Sequence, residues 1–421
     1  MSGPRRISRD AVVIGGGAAG IAAAIPLLER GYRVAIIERE ERLGGILMQC
    51  IHNGFGLHQF KRELTGPEYA EEYIELLAAL PADVYAETAA LRIEEHGGRK
   101  RVFACSAAHG AMLFETEVVI CAMGCRERNR GAIGIPGSRP AGVFTAGLAQ
   151  RLLNIEGCIP AKKAVIIGSG DIGLIMARRL SWTGASVGAV VEILPYPSGL
   201  TRNIVQCLED FSIPLYLSHA VTRIFGRDRV EGVDISPLVN GVPQHDKRFS
   251  IACDTVLLSI GLIPENELTR DAGVTINPGS NGPYVDQFLR TSVDGIYACG
   301  NVLHVHDLVD FVSMEGRRCG MHAAERLQAG RPPAASGVPI EPGANVKYVV
   351  PNRCGGAAGE QFYLRSLAVK DSARLTVAQG DGAVLEKKLR RVRPAEMLSF
   401  TLSREACASI DPSRPLRVSL H

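Results

Sequence analysis

The hydrophobic pattern is clearest near the start of the chain. Ala11-Val-Val-Ile14 is an unbroken apolar run, glycines follow at 15, 16, 17 and 20, and Ile21-Ala-Ala-Ala24 is apolar again. Such a run closing on glycines reads as a buried strand and a tight turn, with a helix packed back on the strand. Gly31-Tyr-Arg-Val-Ala-Ile-Ile-Glu38 reads as the next strand, ending on an acid. Residues 66–80 alternate apolar and acidic positions at helical spacing and predict a helix with an acidic outer face. Short β-like runs follow at 83–93 and 101–106, and Glu117-Val-Val-Ile-Cys-Ala-Met-Gly124 reads as another buried strand. The opening pattern then returns. Lys162-Lys-Ala-Val-Ile-Ile runs into glycines at 168, 170 and 173, a helix follows, and Val187-Gly-Ala-Val-Val-Glu192 is a strand with a terminal acid. Asp254 to Asn266 and Thr291 to Asn301 are further strands running into turns, and 315–327 predicts a helix. Beyond Gly330-Arg-Pro-Pro, a linker by composition, the texture changes to short, mostly alternating runs near 362, 373, 384, 396 and 416. Those runs predict a separate small all-β domain.

The turns carry the chemistry. In the first, Gly15 permits the turn, Gly17 lets a pyrophosphate approach the backbone, and Gly20 lets the helix pack close to its strand. Ala18 and Ala19 complete the turn, where a helix N-terminus favours phosphate. Glu38 stands where a carboxylate accepts from a ribose 2′-OH. Gly168, Gly170 and Gly173, with Asp171 between them and Glu192 after them, form a second copy. Two copies in one chain are far more specific than one. Glu192 would repel a 2′-phosphate and accept from a 2′-OH, which favours NAD(H) over NADP(H).

Composition adds mainly exclusions. A 46% hydrophobic, 22% charged chain of 421 residues is an ordinary globular composition with room for two or three domains. A net charge of +3 gives no reason to expect nucleic acid, and the basic run Lys387 to Arg393 reads first as a solvated strand face, with an acidic partner as the alternative. Eleven cysteines without regular spacing fit thiols in a reducing cytoplasm. The uncharged stretch 11–28 reads as strand and helix rather than a membrane span. Cys121 and Cys125 resemble a redox pair, but an extended 117–124 would put their Cα atoms roughly 13 Å apart. A disulfide tolerates less than about 7 Å. Cys121 therefore reads as a core thiol.

Taken in order, Gly15-x-Gly17-x-x-Gly20 with Glu38, Gly44-Gly45, Gly124, Gly168-x-Gly170-x-x-Gly173, Gly261-x-x-Pro264 and Gly300-Asn301 resemble the pyridine nucleotide-disulfide oxidoreductase superfamily. The resemblance implies an α/β fold of two Rossmann-like domains of the glutathione-reductase type, binding FAD and NAD, plus the small C-terminal all-β domain. It places the FAD domain at 1–150 and 266–335 and the inserted NAD(H) domain at 151–265, and the change of pattern beyond them leaves the β domain at 336–421. It implies that Glu38, with Arg39 beside it, holds the adenosine ribose, and that Gly44-Gly45 pass near the pyrophosphate and flavin. Gly124 belongs to the same FAD set, and Gly300-Asn301 fall at the ribityl chain and pyrophosphate. Gly168, Gly170, Asp171, Gly173, Glu192 and Gly261 form the NAD set.

One departure bears on the reaction. Disulfide reductases of one branch carry C-x4-C after the Gly-Gly, where this chain has Leu47 and His52, and the C-x2-C of the other branch is missing. The segment Gln49 to Gly56, with Gly124-Cys-Arg-Glu-Arg128, is more similar to flavoprotein subunits found with glycerol-3-phosphate-dehydrogenase-like proteins. It is similar, more distantly, to a subunit of the opine oxidases and to the flavoprotein of hydrogen cyanide synthase. Beyond residue 330 only Cys354 and Cys407 remain, too few for an iron–sulfur centre from this chain. The resemblance places Cys50 and His52 beside the flavin. There His52 would handle a proton, and Cys50 would tune the flavin or form a transient adduct; both also read as packing or loop residues. His304, His306 and Asp307 are expected to line the same pocket, without a metal. The expected activity is FAD-dependent NADH:acceptor oxidoreduction, with a protein partner subunit or a homo-oligomer. A flavin-stabilised, non-catalytic assembly subunit of a dehydrogenase complex is the alternative.

Overall fold

The computed structural model describes residues 3–330, 337–355 and 361–421. The chain forms two compact units, Met1–Cys125 with Pro264–His421, and Arg126–Ile263.

In the first unit, strand β1 (Ala11–Ile14) is buried along its whole length and leads through the glycine turn into helix α1 (Ala18–Glu29). Strand β2 (Val34–Ile37) lies parallel to β1, with Val12 opposite Ala35. Strands 118–121 and 296–298 extend the sheet on the other side of β1, and 83–85 extends it beyond β2. All these pairings are parallel, and the residues of β1, β2, 118–121 and 296–298 are buried on both faces and read as continuous apolar runs, whereas 83–85 is a partly exposed edge strand. The helix expected at 66–80 spans Gly66–Ala78, fixed by a Thr65/Glu68 capping box. The helix expected at 315–327 begins earlier, running Val309–Ala329. It packs on α1 at a distance only glycine allows: a Cβ on Gly316 would lie 2.3 Å from the Ala19 carbonyl oxygen, and one on Gly320 2.0 Å from that of Ala23. A four-stranded sheet of 5–8, 110–116, 99–106 and 88–96 adjoins this core.

The C-terminal runs form a five-stranded sheet (353–354, 338–342, 416–420, 370–379, 382–392) and a three-stranded one (346–350, 361–366, 397–401). They enclose their own core around Phe362, Leu375, Val377 and Val418, with Phe362 stacked on Phe400 at 5.1 Å. A short helix, Arg404–Ala408, capped by Ser403, lies among these strands. Tyr348 and Val350 join the core of the first fold, and the whole segment belongs to the same compact unit.

In the second unit, strand β3 (Lys163–Ile167), helix α2 (Asp171–Trp182) and strand β4 (Ser186–Val191) repeat the strand–turn–helix–strand arrangement. Strands 255–258 and 143–145 extend this parallel sheet beyond β3, and 215–216 extends it beyond β4. The compact unit starts at Arg126 rather than near 151, because strand 143–145 pairs in register with 256–258. An antiparallel group over 219–252, not anticipated from the sequence, completes the unit. No helix among the described residues is long and apolar enough to cross a membrane.

Candidate functional site: two dinucleotide cradles

The first cradle lies at the carboxyl end of β1. Gly15 has φ +105° and donates its N–H to the Ile37 carbonyl at 2.8 Å; a Cβ there would lie 2.4 Å from the Ala122 oxygen. A Cβ on Gly20 would lie 1.8 Å from the Gly15 oxygen, so this glycine serves helix–strand packing. Gly17 differs from both. The nearest atom to a Cβ there is the Gly45 Cα at 4.0 Å, so the backbone faces open space. Gly44 and Gly45 both adopt positive φ, and the Gly44 N–H bonds the Gly16 carbonyl at 2.8 Å, folding this pair over the turn. Gly17 is the N-cap of α1, and no described side chain caps that helix. Its N-terminal N–H groups and dipole are left for an anion, unlike those of the boxed helix 66–78.

Glu38 is buried and faces this turn, with Oε2 accepting from the Gly16 N–H at 2.7 Å and Oε1 from the Glu40 N–H at 2.8 Å. Each carboxylate oxygen keeps a further acceptor position. Arg39 is exposed and Ala18 half-buried, while Ala19 lies in the core. Gly124 has φ +73° and open space around its Cβ position. Gly300, also at φ +73°, presses on α1, where a Cβ would lie 2.6 Å from the Ala19 Cβ. Its N–H is held by Glu315 Oε2 at 2.7 Å. The Asn301 side chain is used internally, accepting from the His306 N–H at 3.0 Å and donating to the Cys125 sulfur at 3.7 Å. Room at Gly17, the facing Glu38 carboxylate and the uncapped helix together fit a dinucleotide pyrophosphate and ribose.

The second unit repeats the logic with tighter packing. Gly168 has φ +91°, and a Cβ on it would lie 2.1 Å from the Ser259 oxygen. Gly173 is confined by the Ser259 Cβ at 2.6 Å and donates its N–H to the Ser259 hydroxyl at 3.1 Å. Gly170 is the N-cap of α2, again without a described side-chain cap. Buried Glu192 accepts from the Ser169 N–H at 2.9 Å, the Ser169 hydroxyl at 2.6 Å and the Leu194 N–H at 3.0 Å, the same placement as Glu38 in the first cradle. The Asp171 carboxylate is taken up by the Leu200 N–H at 2.8 Å and Asn203 Nδ2 at 2.6 Å, bonds that tie α2 to the next segment. Gly261 has φ +97° with little around its Cβ position. Ser169, Ser198 and Ser259 were missed from the sequence: Ser169 stands inside the turn, Ser198 donates to Glu192 Oε2 at 3.1 Å, and Ser259 reaches the turn only because strand 255–258 lies beside β3.

Cys50 closes the short 45–49 turn and donates its thiol to the Ile46 carbonyl at 3.2 Å. Burial pushes that thiol up to about 12, so it is protonated at neutral pH, which opposes attack as a thiolate. The His52 ring lies 5.0 Å from Phe55, and its Nδ1 lies 3.0 Å from the Asn53 carbonyl. Cys121 is a core thiol that burial pushes up to about 12. The expectation that His304, His306 and Asp307 line the pocket does not hold. Both imidazoles are buried against Glu315, and Asp307 pairs with Arg365 of the C-terminal sheets. Glu315, buried with them, requires donors, and these imidazoles supply two.

The family described as pyridine nucleotide-disulphide oxidoreductase matches residues 9–326. The chain belongs to that family. The family and its members are FAD- and NAD(P)-dependent oxidoreductases. An opine oxidase subunit of Agrobacterium tumefaciens (strain Ach5) is 28% identical over 314 residues, covering 69% of this chain and 61% of that protein. The chain thus spans about three fifths of that relative's length. Hydrogen cyanide synthase subunit HcnB of Pseudomonas protegens is 26% identical, covering 75% of this chain and 68% of its own. Among solved structures, thioredoxin reductase of T. acidophilum has a TM-score of 0.62 at 24% identity, covering 76% of this chain and 98% of that one. The shared fold is the two-Rossmann-domain α/β architecture, to which this chain adds C-terminal sheets.

Proposed function

We propose that the protein is an FAD-dependent NADH:acceptor oxidoreductase that works without a redox disulfide, as the flavoprotein subunit of a larger assembly. The observation that carries this reading is the room over Gly17 beneath Gly44-Gly45, with the Glu38 carboxylate turned towards the same loop. Bound in that cradle, FAD would supply the two-electron chemistry, accepting hydride from a nicotinamide and releasing electrons to a second partner. The chain's own residues bind and orient. Backbone at Gly15, Gly17, Gly44 and Gly45 admits the pyrophosphate, and Glu38 accepts from ribose hydroxyls. In the second cradle Glu192 does the same, and its charge disfavours a 2′-phosphate, which supports NADH over NADPH.

Leu47 and His52 occupy the positions where related reductases carry a C-x4-C pair, which supports electron transfer straight from flavin to acceptor. His52 is proposed to take up and release the proton that accompanies reduction, since an imidazole exchanges protons near neutral pH. Cys50, as a protonated thiol, is proposed to tune its surroundings. The relatives that are themselves named as subunits support a partner protein. The 337–421 sheets, with basic strand 382–392 at their edge, are the proposed docking region. The irregular spacing of the eleven cysteines supports a reducing, cytoplasmic setting. The test is anaerobic addition of NADH or NADPH to the purified yellow protein. Rapid bleaching by NADH supports the reading, whereas bound but unresponsive flavin would instead mark an assembly subunit.

A further inference from the structure

The Gly300 turn is held by a cluster that the cradle alone does not require. Glu315, on the long helix, places both carboxylate oxygens in the protein interior with no side-chain exposure. Oε2 accepts from the Gly300 N–H at 2.7 Å and lies 3.3 Å from His306 Nε2, while Oε1 lies 3.0 Å from His304 Nε2. The two imidazoles lie 4.1 Å apart, and the ring of Tyr363, from the C-terminal sheets, covers them at 5.4 and 5.2 Å.

These three donors offset the cost of burying a carboxylate and hold it well below the usual carboxylate range. Burial pushes His304 down to about 4, so it is neutral at ordinary pH and donates through Nε2. In that tautomer Nδ1 is a bare acceptor, and among the described residues neither Nδ1 has a partner. The three ligand atoms lie within 4.8 Å of one another, so a metal ion and these hydrogen bonds would compete for the same two Nε2 atoms. Each Nε2 spends its N–H on a different carboxylate oxygen, and a ligating imidazole is normally fixed by a partner on its other nitrogen.

We propose that Glu315 is the positioning residue of the Gly300-Asn301 turn, locked by His304 and His306, and that it thereby sets the affinity of the first cradle for FAD. The proposal rests on the flavin reading above. The turn is a lever on the cradle because Gly300 meets Ala19 in the first turn of α1, and Asn301 is tied to the His306 N–H. Losing the carboxylate frees the Gly300 N–H and lets this contact with α1 loosen.

The test compares apoprotein of the wild type, Glu315→Ala, Glu315→Gln and Glu315→Asp by FAD titration, with hydrogen exchange of the peptide spanning Gly300. Leaving one buried donor unpaired costs about 1–3 kcal/mol, which is roughly 5- to 150-fold in affinity. Glu315→Ala is expected to weaken FAD within that range and to raise exchange at Gly300. Glu315→Gln, whose carboxamide oxygen still accepts from Gly300 but whose amide N–H groups face the His304 Nε2 donor, is expected to recover part of the affinity. Glu315→Asp, one methylene too short, is expected to fall between them, and it serves if the alanine variant does not fold. Wild-type FAD affinity in Glu315→Ala or Glu315→Asp overturns the proposal, as does one equivalent of metal bound to wild-type protein and lost in these variants. A wild type that binds no FAD overturns the flavin reading instead.

Discussion

Two glycines of one turn have opposite roles, and exchanging each for alanine separates ligand space from packing space. At Gly17 the backbone has φ −82° and ψ −170°, which any residue adopts, and a Cβ would find no atom nearer than 4.0 Å. Gly17→Ala therefore changes the stability of the apoprotein little, because the gain of about 0.4–1 kcal/mol through the unfolded chain is offset by alanine's poorer fit at the N-cap of α1. The methyl group does, however, enter the room assigned to the pyrophosphate. Overpacking of that kind costs about 1–3 kcal/mol, so FAD affinity is expected to fall roughly 5- to 150-fold. Gly20→Ala reverses the pattern. Its Cβ would lie 1.8 Å from the Gly15 oxygen in the turn and 3.3 Å from Val13 in β1, so α1 must lift from β1. The apoprotein itself should lose about 3 kcal/mol or more. Thermal unfolding of both apoproteins and fluorescence titration with FAD measure the two quantities. Unchanged FAD affinity in Gly17→Ala would refute the assignment of that room.

Three further outcomes are expected. In the unfolded chain His304 takes a proton near its ordinary 6.5, and in the folded protein only near 4. Between those values the unfolded state binds more protons, so stability falls as pH drops, by about 3 kcal/mol in all. Urea unfolding across this range measures it, and His304→Asn should flatten the slope. Glu192→Gln keeps the packing but removes the charge, so discrimination against NADPH should narrow at least severalfold, read from the ratio of the two coenzymes' kcat/KM values; an unchanged ratio rules out Glu192 as the selector. His52→Ala should slow NADH-driven flavin bleaching about 10²-fold or more at neutral pH if the imidazole moves the proton, while Cys50→Ser should change it little; equal rates in all three proteins would leave both as loop residues.

The two cradles were legible because their chemistry is local. A strand, three spaced glycines and an acid at the next strand end lie close together in sequence, and Glu38 and Glu192 both sit facing their turns. The helix at 66–78 was legible from its apolar and acidic periodicity, and the structure adds the capping box of Thr65 and Glu68 that fixes its start. What escaped notice depends on distant partners. Ser259 belongs to the second cradle only because strand 255–258 lies beside β3. Asp171 suits a cofactor contact by position, yet its carboxylate is committed to Leu200 and Asn203. Glu315 carried no mark among the charges of its helix, and the two histidines drew attention to the wrong side of the turn. The strand at 110–116 was missed because its buried residues cluster at 112–114 instead of alternating. In the same way Arg365 and Asp307, 58 positions apart, pair only once the C-terminal sheets have packed on the first fold.

The central claim is that flavin is the redox centre and that no disulfide stores electrons beside it. Anaerobic titration of the holoprotein with NADH, followed by the flavin's visible absorbance and a thiol count at each point, tests this most directly. The account predicts full bleaching at one equivalent of NADH per flavin, with no new thiols. Uptake of a second equivalent with two additional thiols would contradict it.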